Sequence, residues 1–437
     1  MSPHTVATPR NLPTRPVRWA QRAAPWLLFM ALAACGTESQ TPDSGVQDAA
    51  AQGTAQSSPQ PREYGPIDEP DTFTIVGTGD IITHDHIVEA AETLAEDSDQ
   101  DYAFAPLMAP IEPWIAGADL ALCGLEVPIV PDGGEPSGYP VFAAPEELIA
   151  GLAEVGFDGC STATNHAVDA GTDGLVQTLD VMDAYELGHA GTARTEQEAS
   201  EPQIYTLARG DTELVVAHLS TTMIHNIRPP TDASWMVTDV SADELTERAA
   251  EARAGGADIV VVSAHWGTEY GHKPDEAQRA YGQALADGGE VDLVLGSHPH
   301  TPQPLEQLKG GPEDDGMWVA WSMGNFLTNQ DEACCVMETA TGVIAYAEVE
   351  VSPDQTARVT EVGWTPVTVD RTASRHQGMW PLAELADDAE LRDEVELSAE
   401  TVEARWDRVR EVMDEDYLLT APPEPTGQRP VLLPRDK

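Results

Sequence analysis

Basic residues are scarce. The 437-residue chain sets 23 Lys and Arg against 75 Asp and Glu, a formal charge of −52. A surface of that sign repels nucleic acid and anionic membrane, so no nucleic-acid partner is expected. It also repels polyanionic substrates, except where a metal ion reverses the local field. No fixed-period repeat is present, which excludes a solenoid. The apolar stretch at residues 23–34 is too short to span a bilayer. Cysteine is limited to five positions. What remains is a chain long enough for one large α/β domain, or two modest ones, with an ample core.

The amino terminus has the layout of an export signal. Arg10, Arg15, Arg18 and Arg22 precede the apolar stretch, which ends in Leu32-Ala33-Ala34-Cys35-Gly36. That ending resembles a bacterial lipobox, and the resemblance implies lipidation at Cys35. Residues 1–35 are then a lipoprotein signal, and the mature protein is exported and lipid-anchored at the cell envelope. Residues 36–71 are rich in Gln, Ser, Pro, Ala and Asp. They carry too little apolar surface to offset ordering entropy, so a disordered tether is expected. Cys123 and Cys160 fall in expected core strands. An exported chain permits disulfides, but the pair reads as free, buried small hydrophobes. The connectivity of Cys334 and Cys335 stays open.

Residues 260–265 and 291–298 are short β-branched runs, and each ends in histidine. Between them, 274–287 has helical spacing, so the two runs should be parallel neighbours. Further strands are expected at 73–80, 118–126, 157–166 and 317–326. A hairpin is expected over 204–219, turning at Gly210-Asp211, and a closing antiparallel pair at 342–351 and 357–369. Helices are expected at 146–155, 171–186 and 241–253, the last capped by Ser241 with Glu244 three residues on. Residues 224–235 read as an irregular insertion. The strands end in Asp80, Glu126, Asn165-His166, His265 and His298-Pro299-His300. Ligands in open α/β sheets bind beyond the carboxyl ends of the strands. One histidine at such a tip is more often a surface residue. Three at equivalent tips, joined by two acids and an amide, suit a pair of divalent ions. No thiolate is among them, which argues against a structural zinc site. Two ions about 3.5–4 Å apart can clamp both ends of an in-line displacement.

The motifs Gly79-Asp80, Leu125-Glu126, Ala163-Thr164-Asn165-His166 with Asp169, His265-Trp266-Gly267, Gly296-Ser297-His298-Pro299-His300 and Ser322-Met323-Gly324-Asn325 occur in this order. The pattern resembles the CapA family of bacterial capsule-synthesis proteins, linked to poly-γ-glutamate and part of the calcineurin-like metallophosphoesterase superfamily. The resemblance covers about 72–330, with weaker support to about 370. It implies a four-layer αββα sandwich over 72–370. Beyond it, the polar, acidic composition of 371–437 predicts a partly helical extension, a peripheral helix and tail. The resemblance also implies two divalent ions (Mn, Zn or Fe). Asp80 and His300 would hold one, Asn165, His265 and His298 the other, and Glu126 would bridge them. His166 would act on substrate with Asp169 orienting it, and Glu269, Tyr270 and Asn325 would line the mouth. The family usually places His where this chain has Ile82. His84 and His86 are the substitutes on offer, and both also suit plain loop positions. Gly124 and Thr164 stand where Asn is usual. The expected function is a metal-dependent hydrolase of a phosphoester or γ-glutamyl amide bond, acting on an anionic capsule polymer or a phosphoester, with other capsule-synthesis proteins as partners. The alternative is a non-catalytic envelope component that assembles or tethers the polymer with a vestigial metal site.

Overall fold

A computed structural model describes residues 70–96, 98–372, 375–424 and 428–435. The signal, the lipobox Cys35 and nearly all of the tether lie outside the described residues. The strands are β1 (Asp71–Ile81), β2 (Leu120–Leu125), β3 (Gly159–Ser161), β4 (Gly188–Ala190), β5 (Gln203–Arg209), β6 (Thr212–Thr222), β7 (Ile259–His265), β8 (Leu293–Ser297), β9 (Pro302–Leu308), β10 (Met317–Met323), β11 (Thr341–Val351), β12 (Ala357–Thr372), β13 (Arg375–Pro381) and β14 (Val431–Leu433). They form two seven-stranded sheets, β13-β12-β11-β1-β2-β3-β4 and β14-β5-β6-β7-β8-β10-β9.

Strand alternation sorts the core into three layers. In β1, Ile75 faces the other sheet and Val76 faces helices; in β7, Val261 faces the other sheet while Val260 and Val262 face helices. One outer core joins Val76 and Ala121 to the helices Asp85–Ala95 and Glu147–Val155 through Ile87, Leu148 and Leu152. The other joins Val260 and Val262 to Leu245 and Leu285 of the helices Ala242–Ala254 and Glu276–Gly288. Helix, sheet, sheet, helix is the four-layer αββα sandwich expected.

Local chemistry sets the element ends. Ser241 accepts from the Glu244 amide, and Asp275 with Gln278 completes a capping box. β5 and β6 form the expected hairpin, with Gly210 at φ 60° in its turn. β7 and β8 are parallel neighbours, and β11 pairs antiparallel with β12. Strand β3 is shorter than the run 157–166 suggests. Past Ser161 the Thr162 amide and Oγ1 both bond the Ala190 carbonyl, at 2.8 and 3.0 Å, and Oγ1 pairs with Thr192 Oγ1 at 2.6 Å.

Two expectations need correction. Cys123 and Cys160 are not free thiols but a disulfide. They are direct partners in the β2–β3 register, with Cα atoms 4.3 Å apart. Cys334 and Cys335 also bond to each other. The chain beyond 370 is more than a peripheral tail. It supplies β13 to one sheet and β14 to the other. Leu382, Leu385, Val402 and Val409 join Val362 and Trp364 of β12 in the same core, covering part of the sheet's inner face. Among the described residues no helix is long and apolar enough to cross a membrane.

Candidate metal centre

The space between the sheets changes character along its length. Val216, Val261 and Leu293 pack in the inter-sheet core. Two-residue steps from these positions lead to His218 and Ser220, to Ser263 and His265, and through Leu295 to Ser297, all buried. The three strands therefore bring buried polar side chains to their carboxyl ends. There Asp80, Glu126, Asn165, His265, His298 and His300 are all buried together.

Backbone contacts hold these tips in place. The Asp80 amide donates to the Gly324 carbonyl at 2.9 Å, and a Cβ on Gly79 would lie 1.8 Å from that same oxygen. Only glycine at position 79 permits this approach. The His298 amide donates to Asp80 Oδ1 and Oδ2 at 3.3 and 3.1 Å. His298, His300 and Tyr270 have φ of 92°, 59° and 64°. Left-handed backbone at non-glycine residues costs about 1–3 kcal/mol each and clusters at functional sites.

The side chains converge without satisfying one another. His300 Nδ1 lies 3.2 Å from Asp80 Oδ2 and 3.8 Å from Glu126 Oε2. His265 Nε2 lies 2.8 Å from Asn165 Oδ1 and 3.9 Å from Glu126 Oε1, and its Nδ1 bonds Ser297 Oγ at 2.9 Å. Glu126, His298 and His300 offer ligand atoms all within 4.8 Å of one another. Both Glu126 carboxylate oxygens and His298 Nδ1 are buried with no hydrogen-bond partner. Such orphaned groups cost free energy unless a cation meets them.

Electrostatics follow from this crowding. Burial pushes the Glu126 carboxyl up to about 7; His300 opposes the rise and Asp80 adds to it. Burial works against charge on His300 as well, but Glu126 and Asp80 outweigh it and raise that imidazole to about 10. Burial, together with His300 and His166, lowers His298 to about 3. Burial and the neighbouring His298 and His300 lower His265 too. Neutral imidazoles of this kind have lone pairs free for a metal.

His166 sits beside this cluster. Burial would lower its pKa, but the hydrogen bond to Asp169 and the charge of Glu126 carry it upward. Its Nδ1 lies 2.6 Å from Asp169 Oδ2, which also accepts from the Phe142 amide at 2.9 Å. Glu269 and Tyr270 are exposed, with the Tyr270 ring centroid 6.3 Å from that of His300. Asn325 is not on the mouth. It is buried, its Oδ1 lies 3.0 Å from His300 Nδ1, and its Nδ2 donates to Thr339 O at 2.8 Å, so it orients His300. Neither spare histidine joins the cluster. His84 Nδ1 donates to Ile82 O at 3.2 Å, and its ring stacks edgewise on Phe142. His86 pairs with Glu89 at 2.9 Å on an exposed helix face. The sequence reading missed Asn226, whose Nδ2 lies 3.2 Å from His166 Nε2. It lies in an aperiodic segment that carries no signal.

Two sheets flanked by helices, with acids, an amide and imidazoles gathered at the strand tips, define a layered α/β protein with a candidate metal centre. Within that class the chain belongs to the family described as bacterial capsule synthesis protein PGA_cap, whose model matches residues 74–330. It is 27% identical over 276 residues to the capsule biosynthesis protein CapA of Bacillus anthracis, covering 60% of this chain and 61% of that one. It is 29% identical over 186 residues to the PGA biosynthesis protein CapA of Bacillus subtilis (strain 168), covering 42% and 46%. The chain thus spans less than two thirds of either relative. Among solved structures, it is similar to a putative 5′-nucleotidase from Staphylococcus aureus, with 13% identity, TM-score 0.42 and coverage of 77% and 58%. A calcineurin-like phosphoesterase, YfkN from Bacillus subtilis, gives 14% identity, TM-score 0.37 and coverage of 78% and 97%.

Proposed function

We propose that this chain is an exported, lipid-anchored capsule-synthesis protein whose domain is a two-metal hydrolase. Its substrate would be an anionic capsule polymer or a phosphoester, cut at a phosphoester or γ-glutamyl amide bond. The observation that carries the reading is Glu126. It is a carboxylate with no solvent exposure and two oxygens that make no hydrogen bond, placed among three imidazoles. The donor set is all oxygen and nitrogen, which suits hard-to-borderline divalent ions. Asp80, Glu126, Asn165, His265, His298 and His300 would hold them, with Glu126 able to offer one oxygen to each of two ions. When bound, the ions would supply Lewis acidity and offset negative charge at the reacting centre. That offset matters in a chain of charge −52 that must admit an anion.

His166 has a separate task. Asp169, an acceptor only, fixes the imidazole proton on Nδ1, so Nε2 is the unprotonated nitrogen on the side away from the carboxylate. Glu269 and Tyr270 border the opening. Other capsule-synthesis proteins would act alongside, with the anchor at Cys35 keeping the domain at the envelope.

A hydrolysis screen of the metal-loaded full chain against phosphoesters and γ-glutamyl peptides tests the activity. Turnover that disappears in His166→Ala, with metal content unchanged, is expected. No turnover of either bond class would favour a non-catalytic assembly role. Cell fractionation tests the anchor: Cys35→Ser should release the protein from the membrane, and a wild-type protein wholly in the soluble fraction would contradict the anchor.

A further inference from the structure

Residues 223–226, just past the end of β6, cross the seam between the two sheets. The Met223 amide donates to the His265 carbonyl at 3.0 Å, and the Asn226 amide donates to the Asn165 carbonyl at 3.1 Å. One short segment thus ties together a strand tip from each sheet, and both tied residues belong to the candidate metal centre. The segment is also pinned from its far side, where His225 Nε2 lies 3.0 Å from Asp239 Oδ2. Asn226 therefore has a fixed backbone although the residue itself is exposed.

Its side chain lies against the His166 ring. Asn226 Nδ2 is 3.2 Å from His166 Nε2. On the other side of the ring, Nδ1 is 2.6 Å from Asp169 Oδ2. An ionised carboxylate can only accept, so the neutral ring carries its proton on Nδ1 and a bare lone pair on Nε2. Only a donor can bond that lone pair, and the Asn226 amide nitrogen is one. The Phe142 ring meets the imidazole edgewise with centroids 4.9 Å apart. One acceptor, one donor and one flat wall fix the ring's tilt, its rotation and its tautomer.

We propose that Asn226 is a positioning residue for His166: its amide donates to Nε2 and aims that nitrogen at the opening of the metal centre. The consequence for turnover rests on the hydrolase reading above, whereas the effect on the ring does not. Asn226 is exposed, so replacing it leaves the core untouched. Asn226→Leu keeps a similar size and removes the donor.

The test uses the full chain loaded with Zn2+, which is diamagnetic, and labelled with 15N-histidine. The His166 resonances are those absent from the His166→Gln spectrum. In wild type they should show one tautomer, protonated at Nδ1, with Nε2 shifted upfield by the accepted hydrogen bond. In Asn226→Leu the Nε2 resonance should move downfield with the Zn content unchanged. With bis(p-nitrophenyl) phosphate as probe, kcat should fall about a hundredfold, the cost of a misplaced catalytic group, while KM stays within about twofold. An Nε2 resonance identical in the two proteins overturns the proposal. Loss of Zn together with kcat also overturns it, because that marks a scaffold role. If wild type leaves the probe intact, the hydrolase reading loses that support, and the Nε2 resonance alone decides the role of Asn226.

Discussion

The His298 backbone amide donates to both carboxylate oxygens of Asp80, at 3.3 and 3.1 Å. Asp80 belongs to the first sheet, and His298 follows the last residue of β8 in the second. The contact joins the two sheets where their facing surfaces have turned from apolar to polar. It uses a backbone donor, so Asp80 is oriented whatever the His298 side chain binds. The left-handed φ of 92° at His298 is part of the same arrangement.

The position of Asp80 depends on Gly79. A Cβ there would fall 1.8 Å from the Gly324 carbonyl oxygen, which also accepts the Asp80 amide at 2.9 Å. Gly79→Ala must push these two backbones apart. A loss of about 1–3 kcal/mol in unfolding free energy is expected, as for other overpacked sites, along with weaker metal binding. Urea denaturation and metal titration measure both; a wild-type midpoint would show that the approach tolerates a methyl group.

The Cys123–Cys160 bond closes a loop with a sequence separation of 37. Cross-linking a loop of that length stabilises by about 3–4 kcal/mol in the chain-entropy account. The double variant Cys123→Ala, Cys160→Ala should lower the unfolding free energy by about that much. Thiol titration of the denatured, unreduced protein should find neither cysteine free. Two reactive thiols from this pair would contradict the disulfide described.

Acid should weaken the fold through His376. Burial lowers this imidazole to about 4, against a partial rise from its hydrogen bond to the Thr328 carbonyl. Its Nε2 lies 2.9 Å from Thr328 O, and its Nδ1 accepts from the Gly378 amide at 3.1 Å, so the neutral form is the one that fits. The unfolded chain takes up this proton near pH 6.5 and the folded one only near 4. Stability is therefore complete above pH 6.5 and is lost as pH falls towards 4, by about 3 kcal/mol at 1.36 kcal/mol per pKa unit. Urea midpoints between pH 7.5 and 4 should show a shallower slope in His376→Gln than in wild type. Equal slopes would remove His376 from the acid response.

Much of this was legible in the chain. β-branched runs ending in acids, amides and imidazoles marked both the strands and the site. The Ser241 cap and the Gly210 turn marked element boundaries. What escaped depends on partners distant in sequence. β13 and β14 exist because an edge of β12 and of β5 is there to pair with. The disulfide follows from the β2–β3 register, which a single strand does not encode. The family resemblance puts Asn325 at the mouth, yet its contacts with His300 and Thr339 bury it. Asn226 is one polar residue in an aperiodic segment, and only the folded chain brings it to His166.

The central claim is that Glu126 is buried without hydrogen-bond partners because it serves two cations. Metal stoichiometry by elemental analysis of the full chain tests it most directly. Wild type should hold two ions, and Glu126→Ala should lose both. His298→Ala should mainly empty one position, and His166→Ala should keep both while losing turnover. A wild-type protein that binds at most one ion, or a Glu126→Ala protein that binds as many as wild type, would contradict the account.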